Sequence, residues 1–204
     1  MNRFIDPAKL MAANSDAAEK YQSDRRGFLK GGVMALAALG MWTPEIALGS
    51  APATMAIKGR EMKITNTHTG AKFTGEYWYN GKYLPDAFGE IKSVMKDHRS
   101  GDVYPIDPRL MDIMYVLQHR LQNYNMFEIL SGYRSEKTNA KLRGHSRGVA
   151  RHSLHMTGQA CDLRLPGTSL SSVRQSAIKL NSGGVGYYPR SNFVHVDTGR
   201  VRHW

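Results

Sequence analysis

Two short segments rich in metal-binding side chains constrain this chain more than any other feature of its sequence. The first is the nine-residue run His155–Leu163, and the second is the five-residue run Phe193–Asp197. The first run reads as a loop that enters a strand, whereas hydrophobic and polar residues alternate in the second. On a strand, this alternation places His195 and Asp197 on one face. The two segments together offer imidazoles and carboxylates to a shared site.

Three of these side chains, His155, Asp162 and His195, form the ligand set expected for a catalytic zinc ion. Two imidazoles and one carboxylate hold Zn²⁺ and leave a fourth position open for water. Such a site lowers the pKa of the bound water to about 7 and polarises the carbonyl group that is attacked. A lone histidine is more often an ordinary surface or capped residue, but small residues in 156–160 let the backbones approach closely. We therefore expect one zinc ion per chain and a metal-assisted hydrolase.

Several motifs occur together here: the H-x6-D spacing of His155 and Asp162, the turn at 131–134, and a run at 183–195 that is followed by a final His-Trp pair. This combination resembles the zinc peptidases that cut peptidoglycan, called M15 or LAS peptidases. It is similar above all to their periplasmic murein endopeptidases of the MepK (YcbK-like) branch. The resemblance extends over roughly Glu61–Trp204. It implies a LAS-type peptidase fold, zinc bound by the three residues above, and peptidoglycan as the substrate.

The general base is the least determined part of the predicted site. Asp197 lies two residues from His195 on the same strand face, so it can take a proton from bound water or instead orient the imidazole of the ligand. Related branches place a Glu or a His before the last ligand for this role. This chain has Asn192 there, which cannot act as a base. His203 is the rival candidate, although it can equally be a packed residue beside Trp204.

Arg134 is the third candidate catalytic residue. It follows a short apolar strand in a glycine-containing turn. It matches the arginine that, in the family it resembles, contacts the substrate and stabilises the negative charge of the tetrahedral intermediate. A solvated turn arginine is the alternative. His145 and His152 lie in a polar basic loop and are expected to face solvent, while Tyr187 and Tyr188 can line a substrate cleft or simply pack.

The N-terminal segment has the composition of an export signal. Residues 23–30 fit the twin-arginine pattern through Arg25 and Arg26, and an apolar stretch rich in Ala, Gly and Leu follows over 31–42. That stretch is too short to span a bilayer, which takes about 20 apolar residues. An N-terminal amphipathic or core helix is the alternative. We expect a signal peptide over 1–53, recognition by the twin-arginine translocation machinery, no stable membrane span, and a periplasmic location in a Gram-negative bacterium.

Most of the positive charge belongs to the domain that follows this segment. The chain carries 28 Lys and Arg against 17 Asp and Glu, a net charge of +11, and 1–53 holds six of the former and five of the latter, which leaves +10 for 54–204. An anionic partner is expected, and nucleic acid, anionic lipid and the acidic cell-wall polymer all satisfy the charge. Export argues against nucleic acid. The only cysteine, Cys161, cannot form an intramolecular disulfide and should face the core when Asp162 faces the metal.

Hydrophobic periodicity predicts one α+β domain over 54–204, in which helices flank a small antiparallel sheet that carries the zinc site. The expected strands are Glu61–Asn66, Ala71–Trp78, Phe127–Leu130, Ala160–Leu165 and a final hairpin that starts at Val185. The expected helices are Pro85–His98, one that is capped by Asp107, one that runs from a cap at Ser135 toward Leu142, and one from Thr168 or Ser169 to Gly183 and Gly184. A mobile loop is expected over Arg143–Arg151.

Three functions remain open from the sequence. The leading one is a murein endopeptidase that hydrolyses D,D or L,D (diaminopimelate to diaminopimelate) cross-links during cell-wall growth and remodelling. The second is a D,D- or L,D-carboxypeptidase that trims stem peptides, in which Arg134 binds a terminal carboxylate. The third is a non-catalytic wall-binding module that retains zinc. A fourth protein ligand, such as His203 or Cys161, would favour the third, since structural zinc sites are usually filled.

Overall fold

The computed structural model of the chain describes residues 59–145 and 148–204, so the predicted signal peptide over 1–53 lies outside the described residues. The strands in these ranges are β1 (Gly59–Asn66), β2 (Lys72–Tyr79), β3 (Lys82–Tyr83), β4 (Phe127–Ser131), β5 (Ala160–Arg164), β6 (Gly184–Tyr188), β7 (Phe193–Asp197) and β8 (Arg202–His203). The helices are α1 (Pro85–Val94), α2 (Pro108–Arg120), α3 (Glu136–His145) and α4 (Leu170–Leu180). Short 3-10 turns occupy Leu154–Thr157 and Pro189–Ser191.

All of these strands join in a single eight-stranded sheet with the order β3-β2-β1-β4-β5-β7-β6-β8. The expected mixture of helices and one sheet is confirmed, but the expectation of a small antiparallel sheet is wrong. Strand β1 pairs with β4 in parallel, and β6 pairs with β8 in parallel. The parallel β1–β4 pairing is possible because α1 and α2 lie in the long connection that brings the chain back to the edge of β1 opposite β2, in the same direction as β1.

Helices cover the side of the sheet that holds the core. Helix α2 contacts both β1 and α4, and α4 in turn contacts β6 and β7. The central strands send alternate side chains into this core, namely Cys161, Leu163, Val194 and Val196. Because successive side chains on a strand point to opposite faces, Asp162 and His195 project from the other face of the same strands. The sheet therefore separates the apolar core from the candidate metal site, and the prediction that Cys161 faces the core is confirmed.

Helix α2 is the most deeply buried helix of the described chain. The side chain of Asp107 accepts a hydrogen bond from the backbone N–H of Arg109, and Pro108 occupies the first helical position, so the predicted cap is confirmed. All residues from Leu110 to Gln118 are buried. In the described ranges, no helix combines the length and the apolar composition that crossing a membrane requires.

Other predicted helix boundaries differ from the structure for local reasons. Helix α1 ends at Val94 rather than His98, because the carboxylate of Asp97 accepts the backbone N–H of Arg99 and bends the chain there. Helix α3 continues to His145, so the start of the predicted loop Arg143–Arg151 is helical. The predicted caps of α3 and α4 are observed. The Oγ of Ser135 accepts a hydrogen bond from the backbone N–H of Thr138, and the Oγ of Ser169 accepts one from the backbone N–H of Ser172. Asn181, in the left-handed conformation, ends α4 before Gly183 and Gly184.

Candidate metal centre

The three predicted ligands converge on one point of the sheet. Asp162 on β5 and His195 on β7 are direct cross-strand partners, and His155 reaches them from the 3-10 turn before β5. One ligand atom from each residue lies within 4.8 Å of the other two, and all three residues are buried. Among the described residues, no other group of three or more His, Cys, Asp and Glu side chains is arranged in this way.

In each imidazole, the nitrogen that faces away from this point makes a hydrogen bond that sets the orientation of the ring. The Nδ1 of His155 lies 2.7 Å from the carbonyl oxygen of Gly132, which can only accept, so Nδ1 carries the proton. The Nε2 of His195 lies 3.0 Å from Oδ2 of Asp197 and donates to it for the same reason. Hydrogen bonds of this kind fix the tautomer and the ring orientation of metal-binding histidines.

The remaining nitrogens face a carboxylate oxygen. Nε2 of His155 lies 3.3 Å and Nδ1 of His195 lies 2.8 Å from Oδ1 of Asp162. Two imidazole lone pairs directed at one carboxylate oxygen repel it, unless a proton or a cation lies between them. The donor set therefore fits a divalent cation such as Zn²⁺, which prefers imidazole nitrogen and carboxylate oxygen at a site of this kind.

The protonation of the ligands is coupled. Burial raises the pKa of Asp162, but the charges of His155 and His195 and the hydrogen bonds with them outweigh burial and bring it well below its usual range. Burial lowers the pKa of His195, yet the hydrogen bonds with Asp162 and Asp197 raise it to about 9. A metal ion binds the neutral imidazole of His195 and so displaces its extra proton. The affinity of the site for a metal ion therefore decreases as the pH falls below the pKa of His195.

Asp197 is fully buried and accepts hydrogen bonds at both oxygens. Oδ1 accepts from the backbone N–H groups of Gly184 at 3.0 Å and Gly199 at 2.9 Å, and Arg202 binds both oxygens at 3.0 and 2.6 Å. Burial raises the pKa of Asp197, but the hydrogen bonds with His195 and Arg202 lower it by more, to well below its usual range. Of the two roles that its sequence position left open, this geometry favours orientation of His195 over transfer of a proton.

Arg134 lies beside the ligands on the turn after β4. Its backbone N–H donates to the carbonyl of His155 at 3.1 Å, which joins this turn to the 3-10 turn that carries the ligand. The guanidinium makes only long contacts, at 3.5 Å to Asn139 Oδ1, 3.3 Å to Ser131 Oγ and 3.7 Å to Asp162 Oδ2. Its Nε is buried without a hydrogen-bond partner. Burial also lowers the pKa of Arg134, so the charge lies in a poorly solvated position where an anionic group would stabilise it.

The ligands open into a cleft of about 350 Å³. Its lining comprises Arg134, Gly148, Val149, Ala150, His152, Ser153, Leu154, His155, Asp162, Tyr188, Ser191, Phe193, His195, Arg202 and Trp204. His203 is absent from this lining. Since Arg202 reaches Asp197 on one face of β8, His203 projects from the other face, and the structure does not bring it together with the three ligands. His152 was expected to face solvent, and it is exposed but also lines the cleft.

Comparison with known proteins shows the family of the chain. The family model described as Peptidase_M15_2, Peptidoglycan L,D-endopeptidase MepK, matches residues 54–204. The chain belongs to this peptidase family. It is 40% identical over 186 residues to the peptidoglycan L,D-endopeptidase MepK of Escherichia coli strain K12, over 91% of this chain and 100% of that protein. It is also 43% identical over 148 residues to the probable peptidoglycan L,D-endopeptidase MepK of Haemophilus influenzae, over 72% of this chain and 80% of that protein.

Arg202 and Trp204 were not singled out from the sequence as residues of the cleft. Arg202 binds Asp197, and Trp204 lies with its ring centroid 5.4 Å from that of His195. The period-two pattern that identified β7 was a usable signal, because Arg202 and Trp204 alternate with His203 in the same way. Strand β8 has only two residues, however, which is too short for the pattern to be recognised.

Proposed function

We propose that the chain is a zinc-dependent peptidoglycan L,D-endopeptidase that acts in the periplasm. Membership of the M15 peptidase family and 40% identity to a relative of that name support the activity. The convergence of His155, Asp162 and His195 beside Arg134 in an open cleft is the observation that carries the proposal. A bound zinc ion supplies an activated water molecule and polarises the scissile carbonyl.

Arg134 is the residue best placed to stabilise the transition state. Attack on an amide carbonyl places negative charge on its oxygen, and a preorganised cation in a site with little water stabilises that charge strongly. The long contacts of the terminal guanidinium nitrogens leave these donors available to bind this oxygen. The same charge would bind a terminal carboxylate in a carboxypeptidase, but the names of the relatives favour the endopeptidase.

A non-catalytic zinc module would need a closed ligand shell. Cys161 is fully buried on the opposite face of β5, and His203 does not line the cleft, so neither predicted fourth ligand is available. Three protein ligands with an open fourth position are typical of catalytic zinc. The ligand shell therefore supports an enzyme over a binding module.

The decisive experiment for the activity is digestion of purified sacculi. We expect the protein without residues 1–53 to release fragments whose masses show that diaminopimelate–diaminopimelate cross-links have been opened, and a zinc chelator to stop the reaction. Release of single terminal residues alone would identify a carboxypeptidase instead. No change in the sacculi at any zinc concentration would contradict the proposed function.

We further propose that Asp197 orients His195 rather than acting as the base. If so, Asp197→Asn should weaken zinc affinity by roughly ten- to a hundredfold, and added zinc should restore much of the rate. Loss of a general base would instead lower kcat at least about a hundredfold at saturating zinc. A zinc titration of activity separates these outcomes, with His203→Ala on β8 as the control. Full activity of Asp197→Asn at every zinc concentration would contradict both roles.

Export by the twin-arginine route is a separate proposal, because the residues concerned lie outside the described ranges. We expect the double substitution Arg25→Lys with Arg26→Lys to leave the precursor in the cytoplasm, since the arginine pair is read by a receptor and does not act as an anchor. Cell fractionation followed by immunoblotting measures this. Replacing Arg3 and Lys9 in the same segment by Lys and Arg is the matched control, and undiminished periplasmic protein in the Arg25 and Arg26 variant would exclude the route.

A further inference from the structure

The side chain of Trp204 forms part of the wall of the cleft next to the candidate metal ligands. Its backbone extends the pairing of β8 with β6: the N–H of Trp204 donates to the carbonyl of Val185 at 3.2 Å, and its carbonyl accepts from the N–H of Tyr187 at 3.1 Å. The ring centroid lies 5.4 Å from that of His195. Whatever contacts the indole must therefore lie close to the bond that is cleaved.

The indole is held in place although it is 47% exposed. Its Nε1 donates to the hydroxyl of Tyr188 at 2.8 Å, and the guanidinium of Arg202 lies 5.0 Å from the ring centroid. The ring also rests on Gly186, where a Cβ atom would approach it to 2.8 Å, so any larger residue at this position would displace it. These contacts fix the orientation of a large apolar surface that water still reaches.

Further apolar side chains extend this surface across the cleft. Phe193 stacks on Tyr188 with ring centroids 4.6 Å apart, and Val149 and Leu154 also line the cleft. An exposed apolar surface that is held rigid in a cleft is typical of a ligand-binding surface, because it needs no ordering when the ligand covers it. A flat indole suits a flexible chain of methylene groups, which gains contact area without needing a directed hydrogen bond.

We propose that Trp204 is a specificity-determining residue whose indole packs against the methylene groups of the substrate residue that flanks the scissile amide. The inference rests on the proposed function, in which diaminopimelate supplies such a methylene chain on either side of the bond. The closeness of Trp204 to His195 selects the residues next to the scissile bond over more distant parts of the substrate. Strand β8 and the residue that follows it then serve two purposes: Arg202 holds Asp197, and Trp204 binds substrate.

The test varies the enzyme and the substrate together. Synthetic cross-linked peptides would carry either the full methylene chain or an alanine-sized side chain, first on the carbonyl side and then on the amine side of the scissile bond. For the wild type we expect kcat/KM to favour the long chain by at least about tenfold, the lower end of the effect of one methylene in an apolar pocket. Trp204→Ala should reduce this preference to within about threefold on at least one side of the scissile bond, because kcat/KM for the long-chain peptide falls. Trp204→Phe should be intermediate.

His203→Ala is the matched control, since His203 is the neighbouring residue on the opposite face of β8. It should keep the wild-type preference, and thermal unfolding should show that Trp204→Ala remains folded. Equal losses of kcat/KM for the long and short peptides in Trp204→Ala would indicate a merely structural role and overturn the inference.

Binding measurements keep this inference separate from the proposed function. Calorimetric titration of the chelator-treated protein with the same peptides reports the chain-length preference without hydrolysis. A preference for the long chain that Trp204→Ala removes supports the inference even if neither peptide is cleaved, a result that would contradict only the proposed function. Cleavage of the long and short peptides with no preference in the wild type would overturn the inference and leave the function intact.

Discussion

Substitution of any one of His155, Asp162 or His195 by Ala is expected to abolish hydrolysis of sacculi and to remove most of the bound zinc. Each residue directs one ligand atom at the same point, and two remaining ligands hold zinc too weakly to keep it in place. Elemental analysis of the purified variants measures the metal, and release of muropeptides measures the activity. Normal activity in any one variant, with the absence of metal verified, would contradict the ligand assignment.

The fold should survive these substitutions. Asp162 and His195 project from the sheet face opposite the apolar core, and His155 reaches them from a 3-10 turn outside that core, so their loss leaves the core unchanged. Far-ultraviolet circular dichroism and a cooperative thermal transition are the controls. His203→Ala provides a histidine substitution outside the cleft, and it should retain both zinc and activity.

Arg134→Ala is expected to lower kcat by about a hundred- to a thousandfold while zinc content stays near that of the wild type. The effect should fall mainly on kcat, because the charge that this guanidinium stabilises develops only in the transition state. Arg134→Lys should recover only part of the rate, since an ammonium group cannot reproduce the planar fork of donors. Steady-state kinetics on a defined cross-linked muropeptide separates kcat from KM.

The control for charge is Arg190→Ala, which removes an exposed arginine that does not line the cleft. It should leave kcat unchanged. A rise in KM for Arg134→Ala with unchanged kcat would instead indicate that Arg134 binds a ground-state carboxylate, as in a carboxypeptidase. Unaltered kinetics would remove Arg134 from the site altogether.

The convergence of His155, Asp162 and His195 was predictable because local sequence carries most of the information. Alternation on β7 fixes the face of His195, and the same rule fixes the faces of Cys161 and Asp162 on β5. The resemblance to a peptidase family supplied the remaining step, which is that the side chains on these faces bind one metal ion together. Helix α2 was equally predictable from the sequence, since its cap and the spacing of its apolar residues lie within a single segment.

The features that the sequence did not reveal depend on contacts between distant segments. Parallel pairing of β1 with β4 is set by how α1 and α2 pack, and no local pattern encodes it. The contact of Asp197 with Arg202 likewise joins separate elements, and it is one of the observations that favour the proposed orienting role of Asp197 over that of a base. His152 lies in a polar segment without periodicity, so its place in the cleft lining could be seen only in the folded chain.

The direct pairing of Asp162 with His195 across β5 and β7 makes the candidate site sensitive to strand register. A slip of one residue would turn one of these side chains toward the helices and bring an apolar neighbour to the metal-binding face. The side chains that oppose such a slip are those of Cys161 and Leu163, which lie fully buried in the core. The apolar packing therefore assembles the ligands before any cation arrives, so chelation should yield an inactive protein that is already folded and can be reloaded, unlike a zinc finger that folds only around its metal.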